Sequence, residues 1–583
     1  MARPSVSWIK CLSYSLAFLL LSATAAPAAG IPGGDFRALA YDKGAGHALL
    51  SRYELFISKD GDSWTQAHLD VPGDEFICIA GEKKSFLIGT RKGRIIRFSP
   101  GKEPIELPTV KDPFGRVVEP VRMIGVSPDS GAILISSGQG AMLSKNSGET
   151  FEPLSDPFWN DAASREIRAL GYLGKTALVV TRGGIYYSSG DQFQISNAGL
   201  PAGASPSAVF IEGGRALSAF PGIGAFQTSN GKSWKKLSRV PDDPIAFLGT
   251  TGKGVIAAGP FSPMHLGNAK GSSWTKVSDI SPGFNPVASM KSSGGALLIL
   301  RGKGLYKVED DNLEPVPLSR PLSSVFAELE TPGVTLAGTA GGVFRSEDGK
   351  AWEDVTPASL GVPVTDFLRL PDNRIVLSSG GLGAFISQDN GKSWDPWNEG
   401  LGTANTMQSL LLDGKTVLAA TENGLMQRAP ESESLWQPAE RGVPRETVFD
   451  LAVHDGRVWV ASTSGVYSGK TGGRYNLVKG LEGRARDLSS DEESLLALVG
   501  GHIYLVGAKG KARDMGDVPK GAAPTSVALA AGKLWLGTTA GVYVHSNGSW
   551  KKAWIKDYEV IAMDPTPAGV RVVTSGAGTF YLK

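Results

Sequence analysis

Cysteine is nearly absent: the chain of 583 residues carries only Cys11 and Cys78. A disulfide framework cannot hold such a chain together, and Cys78, in the apolar run FICIAG, is expected as a small buried thiol. Histidine is also sparse. His47, His68, His265, His454, His502 and His545 are scattered with no pair at ligand spacing, so no metal site and no cofactor is expected. Charge of one sign is missing too, since the formal net charge is +2 and no run of Lys and Arg tracks a phosphate backbone. Nucleic acid is therefore not an expected partner. No segment keeps a helical period. Long apolar runs are limited to CLSYSLAFLLL near the start, about a dozen residues where a spanning helix needs roughly 20.

That stretch has another reading. Arg3 and Lys10 precede it, and SATAAPAAG supplies small residues with an A-x-A pattern. Residues 1–29 read as a secretory signal peptide cleaved near Ala25 to Ala29, which predicts export to a periplasmic or extracellular location with no transmembrane segment afterwards. Cys11 would leave with it.

What the sequence has in quantity is turns. Gly 75 and Pro 36 punctuate a chain that is 41% hydrophobic and 20% charged, a globular composition. One turn returns along the chain: SKDGDSW from Ser58, SKNSGETF from Ser144, TSNGKSW from Thr228, SEDGKAW from Ser346, SQDNGKSW from Ser387 and HSNGSW from His545. In each, the Asp or Asn can accept backbone N–H groups, the Gly permits positive φ, and the aromatic residue opens the next strand. Between the turns lie short aliphatic runs, as in MQSLLLDG, TVLAATENG, LMQRAP and SLWQPAERG, which read as four antiparallel strands joined by hairpins. The period of roughly 40 residues is that of a β-propeller blade.

About thirteen complete units and one lacking its fourth strand are readable. Fourteen blades exceed the usual four to eight of one ring, so the expected fold is all-β, a tandem pair of seven-bladed propellers. The expected division is residues 30–318 and 319–583, with the junction in EPVPLSRPLSS. The missing strand is expected from near the mature N-terminus, the alternative being a three-stranded blade.

The turn resembles the Asp box, Ser-x-Asp-x-Gly-x-Thr-Trp, of bacterial neuraminidase repeat (BNR) proteins, best in SKNSGETF and SQDNGKSW. That group includes sialidases, tandem-propeller glucanases, sortilin-type receptors and photosystem II assembly factors. The resemblance implies the fold and leaves function open.

Functional residues must then lie on the face opposite these turns. Turns between second and third strands place Arg91, Arg182 and Arg301 there, and alignment of the first strands places Arg37, Arg122 and Arg168 near one channel mouth. Convergent guanidiniums form a carboxylate or phosphate receptor, similar in kind to the sialidase arginine triad. No F-R-I-P motif and no convincing Tyr/Glu nucleophile pair accompanies them. Pairing with blade-edge acids such as Glu119 or Glu166 is the competing role. The second ring holds Asp366, Gln408, Asp450, Arg486 and Glu559 at the aligned position, and Asp366, Asp450 and Glu559 are the candidate carboxylates of a glycoside hydrolase. Against that, the chain is shorter than the tandem-propeller glucanases and lacks their long aromatic-rich loops. Phe158 and Trp159, in DPFWNDAASREIR, and the loop GPFSPMHLG are candidate protein-contact anchors. The leading expectation is an exported, non-catalytic propeller scaffold that binds a protein partner or an anionic ligand. The alternatives are a glycoside hydrolase working between the rings and a carbohydrate-binding protein without turnover.

Overall fold

The computed structural model describes the backbone of residues 26–27, and residues 33–583 apart from short stretches, the longest being 278–284. The rest of the expected signal peptide lies outside the described residues. Fourteen four-stranded antiparallel sheets follow one another, as the repeat predicts. Blades 1–7 form ring 1, with innermost strands beginning at Phe36, Phe76, Met123, Ile167, Ala208, Phe247 and Pro286. Blades 8–14 form ring 2, with innermost strands beginning at Val325, Val364, Met407, Val448, Ala485, Pro524 and Val560.

Ring 1 closes where Phe36–Asp42 packs on Pro286–Ser292. Ring 2 closes where the Val325 N–H donates to Thr579 Oγ1 (2.8 Å) and Ser324 Oγ donates to the Thr574 carbonyl (3.0 Å). Blade 14 receives its fourth strand from far away in sequence: Ala26 pairs with Tyr581 and Pro27 with Phe580. The sheet is thus completed from the N-terminal side.

Second strands such as Ser85–Thr90 and Gly569–Thr574 are buried at every position, because neighbouring blades cover both their faces. This explains their continuous apolar character. Fourth strands such as Ile105–Glu106 lie exposed at the rim.

The recurring turn is a local staple. Asp60 Oδ1 accepts the N–H groups of Asp62 and Ser63 and the Ser58 hydroxyl, each at 2.9 Å. Gly61, at φ 89°, donates its N–H to Ser58 Oγ, and the Trp64 indole donates to the Gly61 carbonyl. Asp389 repeats the arrangement with Ser387, Lys392 and Ser393. The aromatic residue anchors its blade to the preceding one: the Trp234 indole reaches Ser196 Oγ (2.8 Å) and that of Trp436 the Trp397 carbonyl (2.7 Å).

One expectation about loops changes, and in the second loop Phe261 lies outside the described residues. Phe158 is 0% exposed and Trp159 9%, and Phe158 meets the rings of Tyr186 and Phe193 edge-on. Met264 is buried as well. These side chains fill the seams beneath long connections and offer no exposed anchor.

Candidate functional site

The innermost strands of each ring surround an axial channel. An open cavity of about 460 Å³ lies against the inner strands of ring 1 and one of about 1140 Å³ against those of ring 2. Strand pairing puts the start of each innermost strand beside the turn between its blade's second and third strands, as Phe36 beside Ser51. The six nominated arginines therefore share one face, opposite the Asp60-type turns.

They do not converge on one site. Arg37 donates to the Phe76 carbonyl of the next blade (2.9 Å) and lies 3.6 Å from Glu75. Arg91 also meets Glu75, at 2.7 Å, as does Arg52 at 2.6 Å, a residue the sequence did not single out. Burial works against ionisation of Glu75, but the hydrogen bonds from Arg52 and Arg91 outweigh it and hold the carboxyl below its usual range. Arg168 donates to the Pro206 carbonyl (2.9 Å), and Arg168 and Arg182 each lie 3.4 Å from Glu166. Arg122 and Arg301 have no carboxylate at ion-pair distance among the described residues. Arg122 and Arg168 line the ring-1 channel together; Arg37 does not.

A β-bulge explains how the acids are placed. In all seven blades of ring 2 the innermost strand carries one extra residue after its first, as between Val364 and Asp366, Val448 and Asp450, and Ala485 and Asp487. The residue after the bulge turns toward the next blade. Asp366 accepts the Phe367 N–H (2.7 Å) and, across the seam, the Leu410 N–H (2.8 Å). Asp450 accepts those of Leu451 (2.8 Å) and Leu488 (2.9 Å), and Asp487 that of Val527 (2.6 Å). These carboxyls tie blade to blade.

Their environment favours the protonated form. Burial pushes Asp366 up to about 7 and Asp450 up to about 6. Asp487 is raised well above its usual range, first by burial and then by the charge of Asp450, with which it hydrogen-bonds. Asp564, on the same channel, pairs with Arg571 at 2.8 Å. The sequence reading missed Asp487, Asp564 and Arg571. The signal for Asp487 was present in T-D-F, F-D-L and R-D-L, an Asp before an apolar residue in the same strand position, but alignment without the bulge selected Arg486.

Glu559 lies elsewhere. It pairs with Arg52, which thus bridges Glu75 of ring 1 and Glu559 of ring 2. Here Tyr53 also packs on Tyr558, ring centroids 5.2 Å apart, and the Tyr558 hydroxyl donates to Glu54. At a second junction Lys303 of ring 1 meets Asp354 of ring 2 at 2.6 Å. A groove of about 630 Å³ runs beside the first junction, lined by Tyr53, Glu54, Asp74, Arg94 and Asp557. Asp74 is buried, and its Oδ2 has no hydrogen-bond partner among the described residues. The three nominated carboxyls are therefore not one constellation: two sit in separate seams of the ring-2 channel and one in the inter-ring junction.

No protein-family model matches the chain, and no curated protein matches it in sequence. Solved structures do. The GH74 xyloglucanase of Xanthomonas campestris aligns over 96% of this chain and 99% of its own with TM-score 0.57 and 15% identity. An ancestral GH74 enzyme aligns over 96% and 98% with TM-score 0.53 and 12% identity. PorZ, a surface component of the type-IX secretion system of Porphyromonas gingivalis, aligns over 96% and 87% with TM-score 0.43 and 12% identity. The two GH74 structures share the tandem-propeller fold with this chain. Among the described residues no helix is long and apolar enough to cross a membrane.

Proposed function

We propose that the chain is an exported, non-catalytic binding protein whose ring-1 face holds an anionic group of a partner or ligand. One observation carries this reading: the Arg122 guanidinium stands at the wall of the ring-1 channel with no carboxylate partner among the described residues. A guanidinium in that state is a ready bidentate donor to a carboxylate. The nominated acids are engaged otherwise, Asp366 and Asp450 by backbone N–H groups across blade seams and Glu559 by Arg52. A glycosidase needs two carboxyls facing one glycosidic bond, about 5–9.5 Å apart.

The test is a cross-linked pull-down of the tagged, exported chain from its own envelope, wild type against Arg122→Ala. A partner lost in the variant supports the reading; a partner retained at full yield sinks it. A second reading, glycan binding in the inter-ring groove, is favoured by the buried, unpartnered Asp74 Oδ2 beside the Tyr53 and Tyr558 rings. Calorimetry with xyloglucan oligosaccharides, wild type against Asp74→Asn, decides it, and a release of reducing ends would restore the hydrolase alternative.

A further inference from the structure

The two channels differ in chemistry as well as size. Below the arginines, the ring-1 cavity is walled by Ile124, Leu170, Phe210, Phe247, Val287 and Ala288, contributed by five blades. All six are only half-buried. The polar side chains among them are already engaged: Ser207 donates to the Ile245 carbonyl (2.8 Å), and Ser289 accepts the Thr250 N–H (2.8 Å). Folding thus leaves a patch of half-buried apolar side chains facing an open cavity, with exposed cationic groups at one end. The wall of ring 2 also presents Leu410, Leu451, Leu488 and Met563, but sets Thr365, Asp366, Ser409, Asp450 and Asp487 beside them.

An apolar wall in an axial passage excludes a bulky or fully polar occupant, and an unpaired guanidinium at its mouth asks for a single negative charge. We infer that the ring-1 channel binds a small amphiphile, one alkyl chain ending in a carboxylate, with the chain along the axis and the head on Arg122 beside Arg168. Arg168, with its Pro206 carbonyl contact and Glu166 at 3.4 Å, keeps part of its donor capacity at the mouth. At the far end of the innermost strands Glu212 accepts the Lys291 N–H (3.2 Å), and burial raises this carboxyl to about 7. A chain entering from that face would meet a carboxyl, so the head is placed at the arginine face. This inference rests on the proposed anion-binding role of Arg122 and adds the ligand class.

The experiment is isothermal calorimetry on the full exported chain with butanoate, hexanoate, octanoate and decanoate, and in parallel with an acidic hexaglutamate peptide. Arg122→Gln and Val287→Trp are run beside wild type, and thermal melting checks that each variant is folded. The expected result is affinity that rises about three- to fourfold per added methylene until the channel is filled. Arg122→Gln weakens every member alike, and Val287→Trp removes the dependence on chain length. Binding of peptide and of all carboxylates with one affinity, lost in Arg122→Gln, overturns the amphiphile while leaving the anion-binding role intact. Length-dependent binding that neither variant changes places the ligand on another surface and overturns it too. Binding of neither peptide nor carboxylates removes both. If Val287→Trp fails to fold, Phe210→Ala replaces it, with weakened long-chain and unchanged butanoate binding expected.

Discussion

The inner edges of the two rings solve one problem with a different balance of donors and acceptors. Each ring must tie neighbouring innermost strands together where the channel leaves backbone groups near water. Ring 1 does so mainly with donors, Arg37 to the Phe76 carbonyl, Cys78 to that of Val121, Arg168 to that of Pro206 and Ser207 to that of Ile245, with Ser289 accepting the Thr250 N–H. Ring 2 does so mainly with acceptors, Asp366, Asp450 and Asp487 taking N–H groups of the next blade, with Thr365 donating to the Met407 carbonyl. After the bulge ring 1 carries Ala38, Cys78, Ala169 and Ala288, and ring 2 carries Ala327, Asp366, Ser409, Asp450, Asp487, Ser526 and Ala562. The same blade geometry thus yields a ring-1 cavity with arginines at its mouth and a ring-2 cavity that also carries carboxyls. A charged residue near a propeller axis is therefore a seam element first.

The comparison can be broken most directly by removing one blade anchor from each ring. Trp436 is buried in ring 2 and Trp234 in ring 1. Replacement of either by Ala should cost about 3–5 kcal/mol and lower chiefly its own ring's transition in calorimetric melting. A single transition shifted equally by both would show that the rings unfold as one unit through the Arg52 and Lys303 junctions.

A smaller effect separates the seam chemistries. Asp366→Ala leaves the Leu410 N–H without its partner in ring 2 and should cost about 1–3 kcal/mol. Asp366→Asn keeps an acceptor and should cost less, as urea melts at pH 7 would record.

The third prediction concerns pH. Asp366, at about 7, Asp450, at about 6, and Asp487 all hold protons more tightly folded than unfolded. Their contribution is therefore complete below the ordinary carboxyl pKa, about 4, and is lost as pH rises through about 6–7. Ring 2 should melt higher at pH 5 than at pH 8. Ring 1, with Glu212 beside Lys291 and Arg215 as its raised carboxyl, should shift less. Asp366→Asn should flatten the ring-2 profile, and an unchanged slope would remove Asp366 from it. The smallest effect is expected at the rim, where Asp389→Ala loses exposed hydrogen bonds and should cost no more than about 1 kcal/mol, with ligand binding unchanged in calorimetry.

The blades were legible because they depend on local information. Alternating strands, buried second strands and the Ser58–Trp64 type of turn are set by residues within about 40 positions of one another. The candidate sites were legible only in part. Alignment found Asp366 and Asp450 but chose Arg486 over Asp487, since nothing in a short strand marks a bulge that shifts the outlook of every later side chain by one. Glu166 was anticipated as an arginine partner, and both Arg168 and Arg182 meet it. Arg52 was invisible as a junction residue because Glu559 is 507 positions away.

By itself the sequence determined a repeated four-stranded unit, its number and its turn chemistry, because each unit states its own hydrogen bonds and apolar faces within a few dozen residues. Only the tertiary structure decided which charges are tied into seams, which junction Glu559 joins, and that Arg122 stands without a carboxylate among the described residues. Pairing and desolvation depend on distances between side chains brought together by ring closure, and no local pattern encodes them.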